Sequence, residues 1–119
     1  MKFNIPYITN NELKNIEEVF KNKNFHGMSR FTDECNNKIG EFIGAQNVLL
    51  TDSCTSALEI SALLIKNWDK NEEQEIIMPS YTFSSTAAAF LKFGFKLVFC
   101  EIDPKNMMMN IDDAISRVT

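Results

Sequence analysis

The sequence has 119 residues, 45% of them hydrophobic and 24% charged, with 10 Phe to bury, which is the composition of a globular chain and not of a disordered one. No apolar run approaches the roughly 20 residues that a membrane-crossing helix needs, since Lys92 and Lys96 interrupt the richest stretch. The net charge is −4 and the lysines are scattered among acids, which argues against a nucleic-acid surface.

Residues 11–23 predict an amphipathic helix, with Leu13, Ile16, Val19 and Phe20 near one face. Residues 22–27 break that pattern. A second helix is predicted over 30–43, with Phe31, Cys35, Ile39, Phe42 and Ile43 at three/four spacing and Gly44 as its stop. Residues 47–50 (Asn-Val-Leu-Leu) form a short apolar run, as expected of a strand buried on both faces. A helix over 55–67 is apolar around most of its circumference and is expected to be well buried. Residues 68–74 read as a polar connection, with Glu72, Glu73 and Glu75 as a solvated charge run. A second strand covers 75–78 and is stopped by Pro79. Residues 83–93 read as a helix ended by Gly94, residues 96–102 as a third strand closed by Asp103-Pro104, and residues 110–118 as a further helix with Asn110 or Asp112 as N-cap.

Two helices (1–45) followed by strand-helix alternation (46–119) indicate an α/β fold with a mostly parallel sheet. The pattern closes inside a helix at Arg117-Val118-Thr119, so the domain is expected to continue further. The opening residues Met1 to Pro6 lack the apolar run of a secretory signal. Cys35, Cys54 and Cys100 form neither a CxxC nor a zinc pattern with the single His26, and reduced, cytoplasmic thiols are expected.

Ligands of open parallel sheets gather at the carboxyl ends of strands. Two such ends are unusual here. In Thr51-Asp52-Ser53-Cys54-Thr55-Ser56-Ala57 a strand runs through small hydroxyl residues into a helix. Small side chains let an oxyanion approach the backbone, and the helix dipole and first-turn N–H groups attract it. The same residues also read as an ordinary N-cap cluster. At the second end, Pro79-Ser80-Tyr81-Thr82-Phe83, the aromatic Phe83 reads either as a ring lying against a planar cofactor or as a core residue covering the sheet edge. Cys54, His26 and Met107-Met108-Met109 read more simply as a small, buried structural thiol, a surface imidazole and loop packing.

The ordered set Phe31-Thr32, Val48-Leu49-Leu50-Thr51, Ser53-Cys54-Thr55, Ala57-Leu58-Glu59, Ile77 to Phe83 and Asn110-Ile111-Asp112 resembles the DegT/DnrJ/StrS family of sugar aminotransferases over nearly the whole chain. The resemblance implies the N-terminal part of the large domain of a fold-type I enzyme dependent on pyridoxal 5'-phosphate (PLP), with a mostly parallel sheet and flanking helices, here incomplete. It implies transfer of an amino group from glutamate to the keto group of a nucleotide-linked sugar, such as a dTDP-4-keto-6-deoxyhexose, in deoxyamino-sugar synthesis for surface polysaccharide such as O-antigen. It implies a homodimer, with no nucleic-acid or membrane partner. On this resemblance Cys54, Thr55 and Ser56 hold the cofactor phosphate, Phe83 stacks on its ring, and Gly27 belongs to a substrate-side segment. Ala88 departs from a frequent Asn of the family, and the stretch from Asn106 to Met109 is longer than usual.

The family's Schiff-base lysine and its acidic partner to the ring nitrogen are expected beyond this chain, which thus carries no catalytic residue of its own and is expected to be inactive alone. The strands that separate the first strand from the other two in such enzymes are likewise expected elsewhere. The 48–51 run then has no neighbour, the 75–78 strand keeps an open apolar edge, and an isolated monomer is expected to be marginal. A non-catalytic remnant that dimerises or binds a phosphate-bearing ligand is the alternative. A small Rossmann-like domain is disfavoured because no GxGxxG follows any strand.

Overall fold

The computed structural model describes residues 4–68 and 73–119, so Glu72 and most of the 68–74 connection, like Met1 to Phe3, lie outside the described residues. The chain forms two compact units, Met1–Leu50 and Thr51–Thr119.

In the first unit, helix α1 spans Asn11–Asn22. Its entry is fixed by Glu12, whose carboxylate accepts from the Thr9 amide at 3.0 Å and from the Thr9 hydroxyl at 2.8 Å. The chain leaves α1 through Lys23 at φ 50°, and Phe20 packs edge-on against Phe25 with ring centroids 5.3 Å apart. Helix α2 spans Arg30–Ile43 and is tied to α1 by Arg30, whose guanidinium reaches Glu18 and Glu34, each at 2.6 Å. Gly44 ends α2 at φ 70°, the left-handed conformation that a glycine adopts without steric cost.

After Gly44 the chain turns back along α2. The Ala45 amide donates to the Gly40 carbonyl at 3.0 Å, and the Leu50 amide donates to Asn36 Oδ1 at 3.0 Å. This is where the buried strand was expected, and the structure differs. Residues 47–50 form no ladder among the described residues, and Leu49 and Leu50 are 68% and 43% exposed. An apolar run becomes a strand only when neighbours accept its amides and carbonyls, and here one asparagine side chain takes the Leu50 amide.

The second unit carries the alternation. Helix α3 spans Cys54–Trp68, strand β1 Glu75–Pro79, helix α4 Ser84–Leu91, strand β2 Lys96–Cys100 and helix α5 Ile111–Ser116. β1 and β2 pair in parallel, with Glu75 opposite Lys96 and Pro79 opposite Cys100. Parallel neighbours joined through α4 are the β-α-β unit that the alternating pattern predicts. Two expected elements are trimmed. β2 ends at Cys100, with Ile102 in an isolated antiparallel bridge to Met109, and α4 stops at Leu91 before the turn to Gly94, at φ 77°.

The core is Ala62, Met78, Phe90 and Phe95, with Leu58, Ile76, Ala87, Phe93 and Leu97 packed around it. Phe90 and Phe95 meet edge to face at 5.7 Å. The expectation of a well-buried α3 is corrected: Ala62 is its one buried residue, while Leu63, Leu64 and Ile65 are exposed. Within this unit only the face of α3 that meets α4 and the sheet is covered. Glu75, read as part of a solvated run, is instead paired with Lys96 at 2.6 Å across the start of the ladder.

Candidate functional site

The relative direction of α3 and α4 decides whether the two singled-out turns can cooperate. β1 and β2 are parallel, so the N-terminal ends of both strands lie at one edge of the sheet. Lys66, near the end of α3, lies 5.5 Å from the ring of Phe95, just before β2. Ala62 and Phe90 share the core cluster. The two helices therefore run side by side in the same direction. Their first turns both lie at the rim where β1 and β2 end.

At that rim the turn from Thr51 into α3 has a defined hydrogen-bond pattern. Ser53 is its cap: its carbonyl accepts from the Ala57 amide at 3.1 Å and its Oγ from the Ser56 amide at 3.1 Å. Ser53 Oγ also lies 3.0 Å from Ser56 Oγ, and the Thr51 hydroxyl donates to the Ser53 carbonyl at 2.9 Å. A helix leaves its first-turn amides without intrahelical partners. With the Ser56 amide taken by Ser53, those of Cys54 and Thr55 are left to an external acceptor. Cys54 is exposed and not the buried structural thiol that was expected, because it sits in the first turn of α3 at the end of the helix, while Thr55 and Ser56 are half-buried.

Phe83 is the N-cap residue of α4, with extended backbone at φ −68° and ψ 138°. Phe83 is 82% exposed, so it is no core residue in this chain. Below it the Thr86 amide donates to the Phe83 carbonyl at 3.0 Å. The structure thus brings Cys54, Thr55, Ser56 and Phe83 to one rim of one unit. Gly27 belongs to the other unit, where its carbonyl accepts from the Thr32 hydroxyl and a Cβ at its position would meet nothing within 4 Å. The sequence places Ser53 in an N-cap cluster without saying which residue caps; the structure makes Ser53 the cap.

The other readings are simpler. Cys100 is buried and its thiol donates to the Met78 carbonyl at 3.4 Å. Met107 and Met108 cap a tight turn, with the Asp103 amide donating to the Met108 carbonyl at 2.8 Å. No cluster of three or more potential metal ligands occurs among the described residues. A groove of about 920 Å³ along α2 is lined by Asp33, Glu41, Asn36 and Asn37 among others, an acidic and amide lining unsuited to a phosphate dianion.

The DegT/DnrJ/EryC1/StrS aminotransferase family model matches residues 6–119. The chain belongs to that family. It is 27% identical over 116 residues to a dTDP-4-dehydro-2,3,6-trideoxy-D-glucose 4-aminotransferase of Saccharopolyspora spinosa, covering 96% of this chain and 29% of that protein. It is 33% identical over 99 residues to a dTDP-4-amino-4,6-dideoxy-D-glucose transaminase of Escherichia coli, covering 82% of this chain and 24% of that protein. Among solved structures it is similar to an E. coli GDP-4-keto-6-deoxy-D-mannose-3-dehydratase with bound hydrated PLP, with a TM-score of 0.87 at 20% identity, over 97% of this chain and 30% of that one. A second structure of a GDP-4-keto-6-deoxymannose-3-dehydratase, holding a trapped PLP-glutamate geminal diamine, gives a TM-score of 0.85 at 21% identity, over 98% of this chain and 32% of that one. These likenesses establish the fold, and the chain spans less than a third of the length of these proteins.

Proposed function

We propose that residues 1–119 are the N-terminal part of a PLP-dependent nucleotide-sugar aminotransferase. It would transfer the amino group of glutamate to the keto group of a sugar of the dTDP-4-keto-6-deoxyhexose kind. What supports this reading is a hydroxyl-lined start of α3 and an exposed aromatic at the start of α4, in a chain matched to an aminotransferase family from residue 6 onward.

The residues fit the cofactor's phosphate. A dianion needs N–H donors, hydroxyls and little side-chain bulk. The amides of Cys54 and Thr55 and the hydroxyls of Thr55 and Ser56 supply these, and the helix dipole favours the charge. Phe83 offers a face for the pyridine ring, and Gly27 gives the substrate side a position without a side chain. When bound, PLP supplies the electron sink for chemistry at the amino-bearing carbon. This chain's residues bind and orient it, while the lysine that anchors the cofactor and moves protons belongs to a further part of the enzyme. On this reading residues 1–45 form an N-terminal segment and 46–119 part of the PLP-binding domain. The working enzyme is a cytoplasmic homodimer of surface-polysaccharide synthesis, and residues 1–119 alone bind without transaminating.

The test uses pyridoxine 5'-phosphate, which has no aldehyde and forms no adducts with surface lysines. Calorimetric titration of the 119-residue chain is expected to show binding of this ester and not of pyridoxine. Thr55→Val is expected to weaken it about tenfold or more, since a hydrogen bond to a charged group is worth about 1.5–3 kcal/mol. Equal binding of the two compounds, or of neither, refutes the proposal and favours a remnant without a cofactor site.

A further inference from the structure

We infer that Ser53 is the positioning residue of the phosphate turn: it sets the direction in which the Ser56 hydroxyl donates. This rests on the phosphate reading of the same turn. The argument begins with the proton inventory of two hydroxyls 3.0 Å apart. Each serine Oγ carries one donor and two acceptor sites. Ser53 Oγ already accepts from the Ser56 amide at 3.1 Å, so one acceptor site is occupied and its proton is available. Donation by Ser53 to Ser56 Oγ leaves the Ser56 proton directed outward, toward an oxyanion at the first turn. Donation the other way turns the Ser56 proton inward and presents only lone pairs to that oxyanion. A bound dianion selects the first arrangement, because hydrogen bonds to an ionised acceptor are roughly twice as strong as neutral ones. The chain then runs from the Ser53 hydroxyl to the Ser56 hydroxyl to the phosphate. The Ser56 amide stays with Ser53, and the Cys54 and Thr55 amides take the ligand directly. The backbone holds Ser53 for this task, since its carbonyl accepts from both the Thr51 hydroxyl and the Ala57 amide, at 2.9 and 3.1 Å.

Three substitutions separate positioning from capping. Ser53→Asn keeps an acceptor for the Ser56 amide and a donor for the Ser56 hydroxyl. Ser53→Asp keeps the acceptor but has no donor, so it caps the helix and draws the Ser56 proton inward. Ser53→Ala keeps neither. Melting temperature is expected to hold for Asn and Asp and to fall for Ala. Affinity for pyridoxine 5'-phosphate is expected to hold within about threefold for Asn, and to fall about tenfold or more for Ala and Asp. Because Asp also brings a negative charge, a coupling test removes that ambiguity. Ser53→Ala and Ser56→Ala combined are expected to weaken binding no more than the stronger single change.

Amide chemical shifts read the same division directly. On adding the ester, Cys54 and Thr55 are expected to move and the Ser56 amide to stay. Additive losses in the double variant, a loss of melting temperature without a loss of affinity in Ser53→Ala, or a Ser56 amide that shifts as far as Thr55 would each overturn the role of Ser53. A wild-type chain whose residues 53–56 do not respond at all overturns the phosphate reading itself, and the role of Ser53 with it.

Discussion

Replacing Phe83 by alanine separates the two roles that an aromatic at this rim can have. A core phenylalanine cut to alanine costs about 3–5 kcal/mol. Phe83 is 82% exposed, so less than a fifth of its surface is covered. Full burial of such a side chain stabilises by about 1.5–3 kcal/mol, and the covered share is then about 0.5 kcal/mol or less. In a chain of this size that is a shift of about 4 °C at most in melting temperature. Capping does not disturb the comparison, because the Phe83 side chain makes no cap hydrogen bond and alanine makes none either. Stacking on a planar ring contributes about 0.5–1.5 kcal/mol beyond area burial, which corresponds to a loss of about twofold to tenfold in affinity for pyridoxine 5'-phosphate. Phe83→Leu, which restores apolar area without a π face, is expected to fall between the wild type and alanine. Thermal melting by circular dichroism and calorimetric titration supply the two readouts. A melting temperature lowered by more than about 10 °C with unchanged affinity would refute the reasoning and return Phe83 to the core.

Two further predictions concern how each unit is held. The Asp113 carboxylate accepts from the Arg117 guanidinium at 2.8 and 3.1 Å and from the Glu101 amide at 2.7 Å, and these donors hold its pKa below the ordinary value, Arg117 foremost. A carboxyl whose folded pKa is depressed contributes stability above its unfolded pKa and loses it as pH falls through the folded value. The wild-type melting temperature is therefore expected to fall between about pH 5 and pH 2 more steeply than that of Asp113→Asn, which melts lower near neutrality; parallel profiles would contradict this linkage. In the first unit, a Cβ on Gly40 would lie 2.9 Å from the Ala45 carbonyl oxygen and 3.5 Å from Val48, so Gly40→Ala is expected to destabilise by about 1–3 kcal/mol despite the better helix propensity of alanine. Gly27→Ala, with open space around it, serves as the control for the same melt.

The elements legible in the sequence are those whose signals are local. Gly44 stops α2 where the pattern placed its end, and Asn110 caps α5 by accepting from the Asp113 amide at 3.1 Å. The parallel pairing of β1 and β2 followed from the helix between them, because a crossover of that length cannot make a hairpin. The turn into α3 was legible as a cluster of small hydroxyl residues, but the division of labour inside it was not. Ser53 and Ser56 are equivalent in composition. Only the backbone geometry makes one the cap and the other its partner.

The 47–50 run shows why strand prediction from composition has a physical limit. Val48, Leu49 and Leu50 have the side chains of a doubly covered strand, yet hydrophobicity decides only that they prefer cover. Strand conformation is held by pairing on the edges, and a strand meant for the middle of a sheet depends on neighbours that are remote in sequence. In this chain the Asn36 side chain and α2 take the place of those neighbours, which is a local substitute with one hydrogen bond. The amides of Val48 and Leu49 are therefore expected to exchange with solvent deuterium on the order of a hundredfold faster than the slowest amides of the β1–β2 ladder, around Ile77 and Val98. Asn36→Ala is expected to speed exchange at Leu50 and leave the ladder unchanged. Equal protection in the run and the ladder would mean that the run has found a strand partner, by association of two chains, and a dependence of that protection on protein concentration would identify the partner as a second copy.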